Sequence, residues 1–282
     1  MPKRELLIGL DVPTVSEARQ VVEETHDVVD GYKVGFQLIY TMLRLMLKAA
    51  SEKEAIANLK DARALFQYLN GKLFLDAKLH DISNTVLQAL IQIFGMDVAL
   101  VNMHCLGGRK MLLKAQEALK QVFADFEPEK RPNVLGVTIL TDHDYDSLVE
   151  LGLVPALNPP DPNSPQSVLE TFERMKTSAM QGQVRKLAIL AKDCGLDGVV
   201  ASPLETVMIR EACGPDFLIA NPAIRPLWSL VPGDDQKRFT TPKQAVENGA
   251  NLVIVARPAL KPPAGISRHE AVVRIKEEMA LV

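Results

Sequence analysis

Cysteine is scarce in this sequence of 282 residues, and the three present, Cys105, Cys194 and Cys213, are odd in number and share no C-x-x-C spacing. That argues against a disulfide framework or a cysteine-held zinc site, and a reduced, cytoplasmic setting is expected. No apolar run approaches the ~20 residues that a membrane span needs. The N-terminus, M-P-K-R-E-L-L-I-G-L-D, has an apolar stretch that stops at Asp11, too short for a signal-peptide core followed by a cleavage site. Long basic blocks are missing as well. The 32 basic residues are offset by 35 acidic ones, for a net charge of −3, so no nucleic-acid footprint is visible, whereas a free nucleotide needs only a local positive site.

What the chain does hold is a regular alternation of apolar strands and helical stretches. Glu5 to Asp11 reads as a buried strand ending in an acid, and Thr14-Val-Ser-Glu17 is a capping box for the helix that follows. Gly31 to Gly35 is a second strand with Lys33 inside it, then come the helical run Gln37 to Ala50 and a polar helical stretch from Ser51 to Gln67. After the third strand, Val86, Leu87, Leu90, Ile91 and Phe94 repeat at helical spacing, a core stripe that implies no cofactor. Further strands are read at Asp97 to Met103, Asn133 to Leu140, Leu196 to Ser202, Asp216 to Asn221 and Asn251 to Arg257, with a closing helix from Ser267 to Met279. His104, at the end of the fourth strand, is read as a packed core histidine. Leu151 to Pro165 breaks the rhythm with five prolines and reads as an inserted surface loop before the helical stretch Gln166 to Cys194.

Eight strands alternating with helices predict a single (β/α)8 TIM barrel domain over residues 1–282, with the proline-rich insertion around 151–165 and active-site groups at the carboxyl ends of the strands. A doubly wound open sheet is the alternative, but no Gly-rich dinucleotide fingerprint follows the first strand.

The most informative stretch is G-K-L-F-L-D-A-K-L-H-D-I-S-N-T, Gly71 to Thr85. Strand alternation from Lys72 to Lys78 puts Phe74, Asp76 and Lys78 on one face, with roughly 7 Å between the Cα atoms of Asp76 and Lys78, so a carboxylate and an ammonium share one space. Asp81 follows where the strand becomes a loop. A lone D-x-K at a strand end would be an ordinary surface salt bridge. The longer string D-x-K-x-x-D-I-x-N-T, Asp76 to Thr85, resembles the active-site signature of the orotidine 5′-phosphate decarboxylases, bacterial-type, which convert orotidine monophosphate to UMP in pyrimidine biosynthesis without a cofactor.

Other motifs extend the resemblance over nearly the whole chain: Asp11 after the first strand, Lys33 in the second, I-R-P at 224 to 226, G-D-D-Q-K-R at 233 to 238 and A-R-P at 256 to 258. The resemblance implies a charged array of Lys33, Asp76, Lys78 and Asp81. It assigns Asp11 to the ribose, and Arg225, Gln236 and Arg257 to the phosphate end, with Thr141 or the backbone beside it meeting the base. It further implies a homodimer in which Asp81 and Thr85 reach into the neighbouring subunit's site, and neither metal nor cofactor. Arg257 suits a phosphate through its planar fork, and the loop from Pro226 to Thr241 is placed to close over a bound nucleotide.

Three departures from the family pattern stand out. Ala223 and Ala256 replace glycines, which would loosen a contact if either glycine sits at positive φ or lets phosphate approach the backbone. Asp142 stands where many bacterial relatives have serine, and its side chain is expected to turn toward solvent or to cap the next helix. Two other functions share parts of the pattern: a phosphosugar decarboxylase of the same superfamily that uses Mg²⁺ and an enediolate, and a catalytically silent nucleotide-binding paralogue.

Overall fold

The computed structural model describes residues 4–126, 130–230 and 239–280. Its strands are β1 (Glu5–Gly9), β2 (Gly31–Val34), β3 (Leu73–Leu79), β4 (Leu100–His104), β5 (Asn133–Val137), β6 (Gly198–Val200), β7 (Leu218–Asn221) and β8 (Leu252–Val255). All neighbours pair in parallel and in chain order, and β8 closes on β1, giving the (β/α)8 barrel. Parallel strands need crossovers, and helices supply them. They are α1 (Val15–Thr25), α2 (Phe36–Leu47), α3 (Glu52–Leu69), α4 (Ser83–Phe94), α5 (Gly108–Phe123), α6 (Tyr145–Glu150), α7 (Gln166–Asp193), α8 (Thr206–Cys213), α9 (Pro242–Glu247), α10 (Arg257–Leu260) and α11 (Arg268–Ala280).

Period-two alternation divides the core into two layers. Leu7, Phe74, Leu100, Leu135, Ala220, Leu252 and Ile254 form a cluster of their own that fills the barrel interior. Their sequence neighbours, such as Leu6, Ile8, Leu73, Leu75, Val101 and Val253, join the larger cluster between strands and helices. With both faces covered, the strands read as nearly continuous apolar runs. Helix starts follow local chemistry. Thr14 accepts a hydrogen bond from Glu17 N–H at 3.1 Å ahead of α1, and Ser51 does the same for Glu54 N–H at 3.2 Å ahead of α3.

The strands are shorter than the apolar runs suggest, because the last residues of a run often bend toward the mouth of the barrel. β5 stops at Val137 and β8 at Val255, so Ile139 and Leu140 line the site from a loop, and Arg257 opens α10 instead of ending a strand. The cap of α6 is Asp144, whose carboxylate accepts from Ser147 N–H at 2.9 Å, and not Asp142. The proline-rich stretch runs between α6 and α7. Tyr145 fastens it, its hydroxyl donating to Pro155 O at 2.7 Å and accepting from Leu157 N–H at 2.8 Å. In α7 the buried residues are Val184, Leu187, Ala188 and Ala191, all in its C-terminal half.

Just beyond β7, Ala223 has φ 62, the left-handed region that glycine occupies without a Cβ clash. Ala256 has φ −124 and carries no such strain. An L-residue in the left-handed region costs roughly 1–2 kcal/mol, and glycine returns about 0.5–1 kcal/mol of that through its greater freedom in the unfolded chain. Ala223→Gly is therefore expected to stabilise the fold by about 0.5–1 kcal/mol, read as a higher urea midpoint at unchanged slope. A lower midpoint would mean that the alanine methyl group contributes more by packing than it costs in strain.

Candidate active site

At the carboxyl end of the strands a cavity of about 210 Å³ is lined by Asp11, Lys33, Asp76 and Lys78 on one side. Val137, Ile139, Leu140, Val200, Pro222 and Ile254 form an apolar wall, with Thr141 at its edge. A roomier hollow of about 620 Å³ near Arg4, Val28 and Met279 holds an Asp30–Lys276 ion pair.

The charged side is an alternating chain. Lys33 Nζ lies 3.1 Å from Asp11 Oδ1 and 3.1 Å from Asp76 Oδ2, while Lys78 Nζ lies 2.7 Å from Asp76 Oδ1. Lys33 faces inward because it pairs in register with Gly9 of β1 and Phe74 of β3, both inward positions. Gly9 makes room for it: a Cβ there would stand 3.2 Å from Lys33 Cε and 3.1 Å from Asp11 Oδ2. Lys78 departs from the regular strand, with φ 43 and a register shift between Leu75 and Leu79. Its ammonium still meets the Asp76 carboxylate and also stands 5.7 Å from the Phe36 ring centroid.

Burial and charge oppose each other here. Burial alone would push the Asp76 carboxyl up, but Lys33 and Lys78, with hydrogen bonds from Lys78 and Asn102, hold it below the ordinary carboxylate range. Burial would likewise push the Lys33 ammonium down, yet the carboxylates of Asp76 and Asp11 raise it above its ordinary value. Both groups are thus charged at neutral pH. Asn102 is the residue that sequence reading missed. It is fully buried in β4, and its Nδ2 donates to Asp76 Oδ1 at 2.7 Å. Its signal was present: it lies two residues beyond Leu100, on the same inward face, as Asp76 lies two beyond Phe74.

The expected site residues do not all converge. Asp11, Lys33, Asp76, Lys78 and Thr141 line the cavity, whereas Asp81, Thr85, Arg225 and Arg257 do not. Asp81 and Thr85 are exposed, and the Asp81 carboxylate accepts from Ile82 N–H at 2.6 Å. Arg225 is buried in the segment after β7, its Nη1 donating to Ile224 O at 3.1 Å, and Arg257 is exposed at the start of α10. Gln236 and the rest of G-D-D-Q-K-R lie outside the described residues. Asp142 is exposed and does not line the cavity. Among the described residues no three His, Cys, Asp or Glu side chains converge as metal ligands.

Comparison with known proteins agrees with this geometry. The model of the family described as "Orotidine 5'-phosphate decarboxylase / HUMPS family" matches residues 4–156 and 164–264. The chain belongs to that family. The seven residues that the match skips, 157–163, fall inside the proline-rich stretch. Among its relatives, the orotidine 5'-phosphate decarboxylase of Trichlorobacter lovleyi is 36% identical over 271 residues, covering 96% of this chain and 94% of that protein. That of Carboxydothermus hydrogenoformans is 36% identical over 278 residues, covering 97% and 95%. The crystal structure of orotidine 5'-phosphate decarboxylase from Lactobacillus acidophilus superposes with a TM-score of 0.69 at 28% identity, covering 98% of this chain and 99% of that one.

Within this decarboxylase-family barrel His104 sits half-buried at the end of β4. Its Nδ1 is buried without a hydrogen-bond partner, and its ring lies 5.6 Å from that of His80. Burial, then the nearby His80, Lys78 and His143, lower its pKa to about 4. The unfolded chain, where histidine titrates near 6.5, therefore binds more protons than the folded one between about pH 4 and 6.5. Stability from a neutral His104 is complete above about pH 6.5 and lost as pH falls toward 4. After discounting for its partial exposure, the loss is about 1–2 kcal/mol. Chemical denaturation of wild type and His104→Asn across that range should show a shallower fall in the variant. Parallel curves would exclude His104 as the source.

Proposed function

We propose that this protein decarboxylates orotidine 5′-phosphate to UMP, a step of pyrimidine biosynthesis, with Lys78 as the residue that stabilises and protonates C6. The observation that carries the reading is the Lys33–Asp76–Lys78 array at the cavity, built on the buried Asp76 carboxylate with Lys78 Nζ 2.7 Å from its Oδ1, in a chain whose relatives bear that enzyme's name. Loss of CO₂ from C6 leaves an sp² carbanion that the ring π-system cannot delocalise, so its charge has to be met by a fixed opposite charge. One unit-charge contact at 4 Å is worth ~4 kcal/mol at an effective dielectric near 20. Enzymes lower barriers by ~8–23 kcal/mol, so Lys78 acts with the rest of the site rather than alone.

The site is suited to this division of labour. Asp76, ionised and pinned between two ammoniums, holds Lys78 against the reacting edge of the ring and faces the substrate carboxylate. Asp11, with its side chain 43% exposed beside Lys33, is open to a ribose hydroxyl. The apolar wall from Ile139 to Ile254 accommodates a flat base, and Thr141 offers it a hydroxyl. Within the array the two carboxylates are balanced by two ammoniums, so a phosphate dianion needs a cation from elsewhere; Arg257 is assigned to it, with the neutral amide of Gln236 as a further donor and Arg225 at the same end of the site. Decarboxylation of a phosphosugar through a Mg²⁺-bound enediolate is disfavoured by the I-x-N-T continuation, Ile82 to Thr85, and by the names of the relatives.

Asp81 and Thr85 support a homodimer with shared sites, because they are exposed outside their own cavity. An apolar surface runs out from the same mouth: Ile82 is 74% exposed, and Phe36, Tyr40, Leu43 and Leu47 of α2 form a stripe at helical spacing that faces solvent. A patch of this kind is what a second subunit covers. No described helix is long and apolar enough to cross a membrane, and we place the enzyme in the cytoplasm.

Ultraviolet absorbance of orotidine monophosphate tests the activity directly: turnover should persist in excess EDTA, and turnover abolished by EDTA and restored by Mg²⁺ would overturn the metal-independent mechanism. Lys78→Ala should lose at least about 10²–10³-fold in kcat while still binding UMP; near wild-type turnover would remove Lys78 from its role. Mixing Lys78→Ala with Asp81→Ala protein should restore activity through heterodimers with one intact composite site. No recovery despite demonstrated subunit exchange would exclude sharing.

A further inference from the structure

Asn102 makes two hydrogen bonds that between them define the shape of the charged array. Its Oδ1 accepts from the backbone N–H of Lys78 at 2.7 Å, and its Nδ2 donates to Asp76 Oδ1 at 2.7 Å. The side chain is fully buried and does not line the cavity, so it does not touch a bound ligand there.

The strand register explains why Asn102 stands in this position. Leu75 pairs with Val101 and Leu79 with Met103, so Asp76, Ala77 and Lys78 of β3 stand opposite the single residue Asn102 of β4. In a regular ladder the Lys78 N–H would find a carbonyl on the next strand. Here the bulge removes that partner, and a buried N–H left without one is strongly disfavoured. The Asn102 amide oxygen takes its place and holds Lys78 at φ 43, a conformation that a lysine rarely adopts. The orientation of the amide is forced: a backbone N–H can only donate, so Oδ1 faces Lys78 and Nδ2 faces Asp76, which must then accept.

We propose that Asn102 is a positioning residue that locks the Lys78 backbone and the Asp76 carboxylate into one unit, so that the ammonium is aimed before substrate arrives. This rests on the decarboxylase reading for its catalytic consequence. Such a lock acts on the transition state more than on binding, because it fixes where the charge stands and offers the ligand no new contact. The groups that face Asp76 are Lys33 from β2, Lys78 from its own strand and Asn102 from β4. Asp11, in the loop after β1, faces Lys33 in turn.

Two variants separate the two bonds. Asn102→Ala removes both, and kcat should fall about 10²-fold with KM changed less than about threefold, the effect of misplacing a catalytic group by roughly 1 Å. Asn102→Asp keeps an acceptor for the Lys78 N–H but sets a second carboxylate against Asp76, so the acid limb of the kcat profile should move up by ~1 pH unit or more. The Asp76 carboxyl, followed by ¹³C NMR, should titrate higher in that variant by a similar amount, a readout that needs no turnover. A folded Asn102→Ala with kcat within threefold of wild type, or an Asp76 titration unmoved in Asn102→Asp, would overturn the proposal. If Asn102→Ala does not fold, the aspartate variant decides alone. Wild-type protein inert toward orotidine monophosphate would instead sink the decarboxylase reading, leaving the NMR titration to judge the lock.

Discussion

Everything at the mouth of this barrel depends on keeping one carboxylate, Asp76, ionised inside the protein. Its side chain is 9% exposed, and a buried charge is tolerated only when paired and hydrogen-bonded. Oδ2 meets Lys33, and Oδ1 meets both Lys78 and Asn102. Each partner then has its own requirement. Lys33 needs the space that Gly9 leaves and a second carboxylate, Asp11, to offset its burial. Lys78 needs a bulge in β3 to bring its ammonium to the carboxylate, and the bulge needs Asn102. Removing any one member leaves an uncompensated charge or a bare N–H, so the set stands or falls together.

The barrel makes this affordable by separating its inward positions along the axis. Below, Leu7, Phe74, Leu100, Leu135 and Leu252 fill the interior with close-packed hydrocarbon. One layer further on, the same inward register carries Lys33, Asp76 and Asn102. The charged layer therefore sits on a rigid apolar floor, with eight strands fixing the separations between groups that come from different strands. Among the described residues three other than glycine hold positive φ, and two of them, Lys78 and Ala223, lie at this end, while Asp97 precedes β4. Strain of this kind persists where surrounding contacts over-determine the conformation, as Asn102 does for Lys78.

The stripe on α2 and the exposed Ile82 belong to this picture too. Phe36 begins the stripe and stands over the Lys78 ammonium, so the apolar surface and the charged array share an edge. A subunit covering that surface would also exclude water from one side of the array, strengthening its electrostatics.

Order and type of the elements were legible in the residues, because apolar periodicity and capping chemistry are local. The Thr14 box, the α4 stripe, the near-exact span of α7 and the inward parity of Phe74 and Asp76 all followed from spacing. Asp76 and Lys78 could be placed in one space on the same ground, and the family's motifs pointed to Lys33 and Asp11. Strand ends were less legible: burial continues through Thr138 and Ile139 past the end of β5, so the change from strand to loop leaves no mark in the residues. Asn102 escaped because a lone polar residue in an apolar strand carries no motif, and its meaning lies across a strand boundary, in a register shift that no single strand encodes. Sequence by itself determined which side chains are charged and which way each strand alternates. Tertiary structure alone decided which charges meet across strands, because ångström-scale distances between groups on different strands are set by how the whole barrel closes.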